Sequence, residues 1–155
     1  MSKTTILIIE DGNEYLENLR RFVVGPTYLQ AHDAGEALAA LAAGGIDLVY
    51  LDMRFDRIAH ERLVGDHEET IRECNGDSAK AWRFLQDNQG LFILDAIAAR
   101  GAGGLGTVPV ILAYDFSRER KRWDRLRARY PNLAWVGDAV TAEEIERLMR
   151  DLLAP

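Results

Sequence analysis

Residues 46–52 read Ile-Asp-Leu-Val-Tyr-Leu-Asp, a short apolar run that ends on a carboxylate. Thr5–Ile9 and Val108–Ala113 are apolar runs of similar length, Leu133–Val136 is a weaker one, and Tyr28–Ala31 is the least marked. Nearly continuous apolar runs of this length are typical of strands that are covered on both faces, as in a parallel sheet. We therefore expect five buried strands.

Helical patterns lie between these runs. Apolar residues recur at helical spacing in five segments, 15–23, 34–41, 91–98, 116–130 and 145–148. Asp33 is placed to cap the second of these helices, and Thr141 with Glu144 forms a capping box for the last. Alternation of strands and helices predicts a doubly wound α/β sheet with right-handed crossovers. The glycine-rich residues 101–106 neither follow a strand nor open a helix, so we interpret them as a loop rather than a phosphate-binding cradle.

One segment, residues 55–87, interrupts this alternation. It is long and polar, and we interpret it as an insertion that contains a helix at about residues 77–86. Its apolar residues either pack onto the domain or form a patch that binds a partner: Trp82, Phe84 and Leu85. Three evenly spaced residues would lie about 10 Å apart on a helix, too far to share a zinc ion, so we expect them at the surface: His60, His67 and Cys74.

Composition restricts the class of protein. The chain has 155 residues, of which 48% are hydrophobic and 28% charged, which suits one globular domain. A net charge of −6 argues against a general nucleic-acid-binding protein. The single cysteine cannot form an internal disulfide, and we find neither a signal peptide nor a membrane-spanning run. We therefore expect a cytoplasmic protein that binds neither nucleic acid directly nor membrane.

Acidic residues follow two of the predicted strands. Glu10 and Asp11 come directly after the first strand, and Asp52 comes at the end of the third. Because the carboxyl ends of parallel strands meet at one edge of the sheet, these carboxylates are expected to lie together, where they could bind Mg²⁺. A carboxylate there can also act as a nucleophile toward phosphorus. The alternative is that these acids only cap the N-termini of helices.

The order of these motifs resembles the receiver domain of bacterial two-component signalling. The stretches that carry the resemblance are Ile6–Asp11, Asp47–Met53, Gly90–Leu94, Val108–Leu112 and Thr141–Ile145. The resemblance covers nearly all of the chain except the insertion, and the order and spacing of short motifs make the case. It implies a single receiver-like domain over residues 1–155, with a flavodoxin-like five-stranded sheet of order 2-1-3-4-5 and an insertion at about 55–87.

The same resemblance implies a chemistry for the acidic edge. Asp52 would be the phospho-acceptor, and Glu10, Asp11, Asp52 and the backbone carbonyl of Arg54 would bind Mg²⁺. The phosphoryl group would come from a histidine kinase, a phosphotransfer protein or a small phosphodonor. The output would be contact with a downstream protein, without enzymatic turnover by the chain itself.

Two positions depart from the family pattern. Tyr114 lies where receivers carry a serine or threonine hydroxyl, and Asp138 lies where they carry a lysine, while Trp135 corresponds to their switching aromatic residue. A carboxylate at position 138 would repel a phosphoryl group, and Arg54 is the nearest cation in sequence that could substitute for the lysine.

Three functions follow from this pattern. The first is an atypical phospho-accepting receiver, which the intact Glu10, Asp11 and Asp52 favour. The second is a pseudo-receiver whose contacts do not depend on phosphorylation, which Tyr114 and Asp138 favour. A magnesium-dependent phosphotransferase or hydrolase ranks last, because no general acid or substrate-binding loop is recognisable.

A basic stretch supplies a candidate contact surface. Its cations fall within the predicted helix 116–130: Arg118, Arg120, Lys121, Arg122, Arg125, Arg127 and Arg129. This helix is part of the output face in receivers, so the resemblance favours a protein contact, and a homodimer remains open. The simpler interpretation is a solvated face that is supported by Glu119 and Asp124.

Overall fold

The predicted strands form one parallel sheet. A computed structural model describes residues 3–100 and 108–155, and its sheet has the order β2-β1-β3-β4-β5. The strands are β1 (Thr5–Ile9), β2 (Thr27–Ala31), β3 (Leu48–Asp52), β4 (Val110–Ala113) and β5 (Leu133–Val136). All five strands and the predicted order are confirmed. The central strand, β3, ends on Asp52 and pairs with β1 on one side and β4 on the other.

Helices cover both faces of this sheet. They are α1 (Glu14–Phe22), α2 (Ala34–Ala42), α3 (His67–Glu73), α4 (Ser78–Asp87), α5 (Gln89–Ala99), α6 (Arg120–Arg129) and α7 (Ala142–Leu153). Successive strand residues point to opposite faces, so Val49 and Leu51 pack with α2 and α5, whereas Leu48 and Tyr50 pack with α1 and α7. Burial on both faces explains why the strand runs are nearly continuously apolar. No helix in the described part of the chain is long and apolar enough to cross a membrane.

Local capping fixes where two helices begin. The Asp33 carboxylate accepts a hydrogen bond from the Glu36 amide at 2.8 Å, and the Thr141 hydroxyl oxygen accepts one from the Glu144 amide at 3.2 Å. Both N-caps are therefore confirmed. Such caps satisfy backbone donors that the first helical turn leaves unpaired, and each typically contributes about 1 kcal/mol.

The basic helix is shorter than its sequence pattern predicts. The pattern covers residues 116–130, but α6 begins only at Arg120. Phe116 is 2% exposed and packs against the rings of Trp123 and Trp135, while the Ser117 amide donates to the Asp115 carboxylate at 2.8 Å. The preceding turn is therefore set by burial of Phe116 in the core, a tertiary contact that overrides helical periodicity.

The insertion contains more helix than expected. The helix predicted at about residues 77–86 is confirmed as α4, which Asp77 caps by accepting from the Lys80 amide at 3.0 Å. A second helix, α3, was not predicted, and a single 3₁₀ turn precedes it at His60–Arg62. Asn75 and Gly76 have φ of 54° and 84°, so this dipeptide makes the tight turn between α3 and α4. The predicted glycine-rich loop at 101–106 lies outside the described residues.

A buried glutamine holds the insertion on the domain. Gln89, at the start of α5, is fully buried and binds both backbone groups of Val64, with distances of 2.8 Å from the Val64 amide and 3.0 Å to its carbonyl. The Phe55 amide also donates to the Gln86 carbonyl at 2.9 Å. Polar groups in the core are stable only when they are paired, so these bonds specify how residues 55–87 lie against α5.

Both histidines of the insertion stack on the indole of Trp82. The imidazole centroids of His60 and His67 lie 4.3 Å and 3.6 Å from the Trp82 centroid, and both rings are tilted by 18° from the indole. Two rings this close to one indole cannot share a face, so one lies on each side. This arrangement agrees with the expectation that they do not share a metal. His60 is exposed as expected, whereas His67 and Cys74 are half-buried and not true surface residues.

Candidate functional site

Asp52 lies at the carboxyl end of the central strand, where the predicted site should be. Its carboxylate accepts a hydrogen bond from the Met53 amide at 2.8 Å, and the Arg54 amide also contributes. Gly90 packs directly against the backbone that follows Asp52, and its amide donates a hydrogen bond to the Met53 carbonyl at 2.9 Å. A Cβ at position 90 would lie 2.9 Å from the Met53 Cα, so only glycine fits there without a shift.

The Asp52 carboxyl group is hard to ionise. Burial, together with the negative charges of Asp11 and Glu10, raises its pKa to about 7 against the opposing effect of the Met53 amide. No cation contributes among the main causes of this shift. A carboxyl group with this pKa is partly protonated at neutral pH. The stability of the folded protein and the nucleophilicity of Asp52 therefore both depend on pH in the physiological range.

The Glu10 carboxylate is bound to the start of the first helix. Glu10 is 1% exposed, and its two carboxylate oxygens accept from the amides of Tyr15 at 3.0 Å and Leu16 at 2.9 Å. The Gln30 side chain donates to the same group at 3.3 Å. Burial raises the pKa of Glu10, while these hydrogen bonds oppose the shift. For Glu10, the alternative that an acid caps a helix N-terminus describes the arrangement.

Asp11 is bound by a residue of the insertion, Arg57. One Asp11 oxygen accepts from the amides of Asp56 and Arg57 at 3.0 Å each, and the other accepts from the Arg57 guanidinium at 3.1 Å. The same guanidinium binds Glu14 at 2.6 Å, and this hydrogen bond lowers the pKa of Glu14 to about 2. The Asp11 side chain is only 2% exposed as a result.

Arg57 is the site residue that sequence reasoning missed. Arg54 is the nearest cation in sequence, but its side chain pairs with Asp87 at 3.2 Å and is largely exposed. Arg57 lies 46 positions from Asp11, and no local pattern links the two. The one available signal was Gly12, since a Cβ there would approach the Arg57 Cζ to 2.6 Å. A glycine beside an acidic pair can mark a close approach by another side chain.

As they lie, these residues do not fit a magnesium ion. Among residues 3–100 and 108–155, no group of three or more His, Cys, Asp or Glu side chains is arranged to hold a metal. The Glu10 carboxylate is bound to amides of α1, and the Asp11 carboxylate is bound to the Arg57 side chain. Among the described residues, Asp52 is the one member of the three whose carboxylate is bound only by backbone amides. Mg²⁺ requires nearly ideal octahedral oxygen coordination, so the magnesium site remains a prediction.

The three positions at which receivers carry a hydroxyl, a switching aromatic residue and a lysine are Tyr114, Trp135 and Asp138 in this chain. Their side chains are engaged elsewhere or exposed. The Tyr114 hydroxyl donates to Glu119, and the Arg122 guanidinium lies 5.5 Å from its ring centroid, so this side chain is engaged with α6. The Trp135 ring packs against Phe116. Asp138 is exposed.

Tyr15 links Asp138 to the acidic edge. Burial raises the pKa of the Tyr15 phenol, and the charges of Asp52 and Asp138 raise it further. Both carboxylates are therefore close enough to influence the same phenol. The edge of the sheet that ends in Asp52 consequently carries a carboxylate, Asp138, at the position where receivers carry a lysine.

Comparison with solved structures identifies the fold. The receiver domain of NtrX from Brucella abortus superposes with a TM-score of 0.63 at 18% identity, covering 96% of this chain and 97% of that one. The Vibrio cholerae chemotaxis protein CheY4 gives 0.64 at 13% identity, covering 98% and 100%. A response regulator receiver domain protein from Clostridium thermocellum gives 0.60 at 17% identity, covering 97% and 94%. The chain therefore has the receiver fold over almost its whole length.

Sequence comparison adds nothing to this result. No family model matches the chain, and no curated protein sequence matches it. Identities of 13–18% to the solved structures establish the fold, and the function must be argued from the residues of the site.

Proposed function

We propose that this chain is an atypical receiver module of two-component signalling that accepts a phosphoryl group on Asp52. The observation that carries the proposal is the placement of Asp52. It is the terminal residue of the central strand, at the edge of the sheet where ligands bind in open α/β folds. Within the described residues its carboxylate is bound only by backbone amides, so one carboxylate edge is available to react.

The proposed reaction transfers a phosphoryl group from a donor to the Asp52 carboxylate. An ionised Asp52 oxygen attacks the phosphorus atom of a phosphohistidine or an acyl phosphate. A phosphorus–oxygen bond to Asp52 forms, the bond to the donor breaks, and the leaving group takes that electron pair. Because burial raises the pKa of Asp52 to about 7, the reactive ionised fraction should increase from pH 6 to pH 8.

A second candidate, a pseudo-receiver that acts without phosphorylation, is favoured by a different observation. Arg57 already neutralises Asp11, and the Tyr114 hydroxyl is bound to Glu119. Asp138 offers a carboxylate where a phosphoryl group would need a cation. In this alternative the fold presents a surface, such as the insertion or the basic helix α6, to a partner protein, and Asp52 is only a buried acid.

Intact-protein mass spectrometry separates the two candidates. The protein is incubated with acetyl phosphate and Mg²⁺ as wild type, as Asp52→Asn and as Asp138→Asn. The third protein is the matched control, because it removes a carboxylate from the same edge and leaves the acceptor. A single phosphoryl increment in wild type and Asp138→Asn that is absent from Asp52→Asn supports the phospho-acceptor. The absence of any increment, when an ordinary receiver is labelled in parallel, favours the pseudo-receiver.

The proposal extends to partners and location. A histidine kinase or phosphotransfer protein would supply the phosphoryl group in the cytoplasm, and a downstream protein would bind the modified domain. We propose no substrate turnover by the chain itself. This extension is tested by comparing how the phosphorylated and the unmodified protein bind to a purified candidate kinase.

A further inference from the structure

We infer that Arg57 is a resident cation that occupies Asp11 and that a divalent metal must displace in order to bind at this edge. The inference deepens the proposed function and rests on it for its biological meaning, although metal binding itself can be measured without phosphorylation. The side chain that contacts Asp11 is that of Arg57, not that of another expected magnesium ligand.

The contacts of Arg57 are those of a specific binding site. Its guanidinium bridges two carboxylates, with nitrogen–oxygen distances of 3.1 Å to Asp11 and 2.6 Å to Glu14. Its own backbone amide donates to the second Asp11 oxygen, so residue 57 binds Asp11 through both main chain and side chain. Glu14 and Asp11 together raise the pKa of the guanidinium, which therefore remains charged.

The backbone leaves room for this guanidinium. A Cβ on residue 12 would meet the Arg57 Cζ at 2.6 Å, so a larger residue there would require the ends of the Arg57 and Glu14 side chains to shift. Arg57 is also near the start of the insertion, whose later residues are fixed to α5 through Gln89. The position of the cation is therefore coupled to how the insertion packs.

Competition follows from charge, because the Arg57 guanidinium already lies beside the oxygen of Asp11 that no backbone amide binds. Both Asp11 oxygens already accept hydrogen bonds, and one of them is paired with a full positive charge. A metal at Asp11 and the guanidinium would repel each other at this distance, so metal binding favours displacement of Arg57. Removal of Arg57 leaves Asp11 and Glu14 without that compensating charge, so a divalent cation should bind more tightly at Asp11.

Isothermal titration with MgCl₂ alone tests this inference. Wild type is compared with Arg57→Ala and with Arg54→Ala, a matched control because Arg54 pairs with Asp87 rather than Asp11. We expect Arg57→Ala to bind Mg²⁺ at least about tenfold more tightly than wild type, which is within the usual range of coupling between sites. Arg54→Ala should bind as wild type does. Equal affinities of wild type and Arg57→Ala would overturn the inference.

A second variant keeps the test decisive if Arg57→Ala fails to fold. Glu14 is exposed and is the other partner of Arg57, so Glu14→Gln loosens the guanidinium with little effect on the core. Loss of one negative charge by itself lowers Mg²⁺ affinity, whereas release of Arg57 raises it. We expect a rise, and a fall would contradict competition.

The failure of this inference is distinguishable from failure of the proposed function. If Asp52 takes no phosphoryl group but Arg57→Ala gains Mg²⁺ affinity, the resident-cation inference stands and the phospho-acceptor does not. If Asp52 is labelled and the affinities do not change, the reverse holds.

Discussion

Replacing Asp52 by asparagine should stabilise the protein, and increasingly so as the pH rises. Asparagine keeps the shape of the side chain but cannot ionise. Burial raises the folded-state pKa of Asp52 from 3.8 to about 7, so the folded protein holds this proton more tightly than the unfolded chain does. The stability contributed by the protonated group is fully present below pH 3.8 and is lost as the pH rises through 7.

The size of the effect follows from the two pKa values. Because Asp52 ionises more easily in the unfolded chain, the folded state loses about 2 kcal/mol of stability at pH 5 and about 4 kcal/mol at pH 8, relative to a group that stays protonated. The difference between wild type and Asp52→Asn should therefore grow by about 2–3 kcal/mol over this interval, and by about 1–2 kcal/mol if water penetrates to the half-buried carboxylate.

Urea unfolding at four pH values between 5 and 8, in the presence of a chelator, measures this difference. The chelator matters because a bound divalent cation would itself lower the pKa of Asp52. Asp138→Asn is the control, since it replaces an exposed carboxylate of the same edge and leaves Asp52 in place. A flat difference for Asp52→Asn, or one that shrinks as the pH rises, would show that a cation already neutralises Asp52 and would refute the reasoning.

Three further substitutions test how the site is positioned. Gly90→Ala should destabilise the fold by about 1–3 kcal/mol, because its Cβ collides with the backbone at Asp52, as thermal unfolding would show. Gln89→Leu should cost about 1–3 kcal/mol in urea unfolding and speed proteolysis of the insertion, because both backbone groups of Val64 lose their partner. Phe116→Ala should cost about 3–5 kcal/mol in urea unfolding through the cavity it leaves beside α6.

Matched controls are available for two of these. In Gly35→Ala the new Cβ would meet only the Asp33 side chain, at 3.5 Å, so this exposed helical glycine should tolerate alanine. Lys80→Ala changes an exposed position of α4 and should leave the insertion as resistant to protease as in wild type. Equal losses in Gly90→Ala and Gly35→Ala would mean that close approach to Asp52 is not the cause.

Much of the fold was predictable because its signals are local. A strand covered on both faces must be apolar at nearly every position, so β1, β3 and β4 stand out in the sequence. Caps are equally local, since Asp33 and Thr141 each bind an amide only three positions later. The position of Asp52 at the edge of the sheet follows from the end of its strand alone.

The candidate site depended on contacts that no local pattern encodes. Asp11 and Arg57 meet because the insertion folds back on the first loop, and the start of α6 is set by where Phe116 packs. The direction of Glu10 was one of two alternatives in the sequence, and only the placement of the α1 amides decided between them.

The sequence by itself thus determined the strands, the caps, the parallel sheet and the acids at its edge, since each depends on residues that are neighbours along the chain. Only the tertiary structure decided which charges meet at that edge and how far burial raises the pKa of Asp52. Electrostatic energy depends on distance and on exclusion of water in three dimensions, and for Asp11 and Arg57 both are set by packing between residues 46 positions apart.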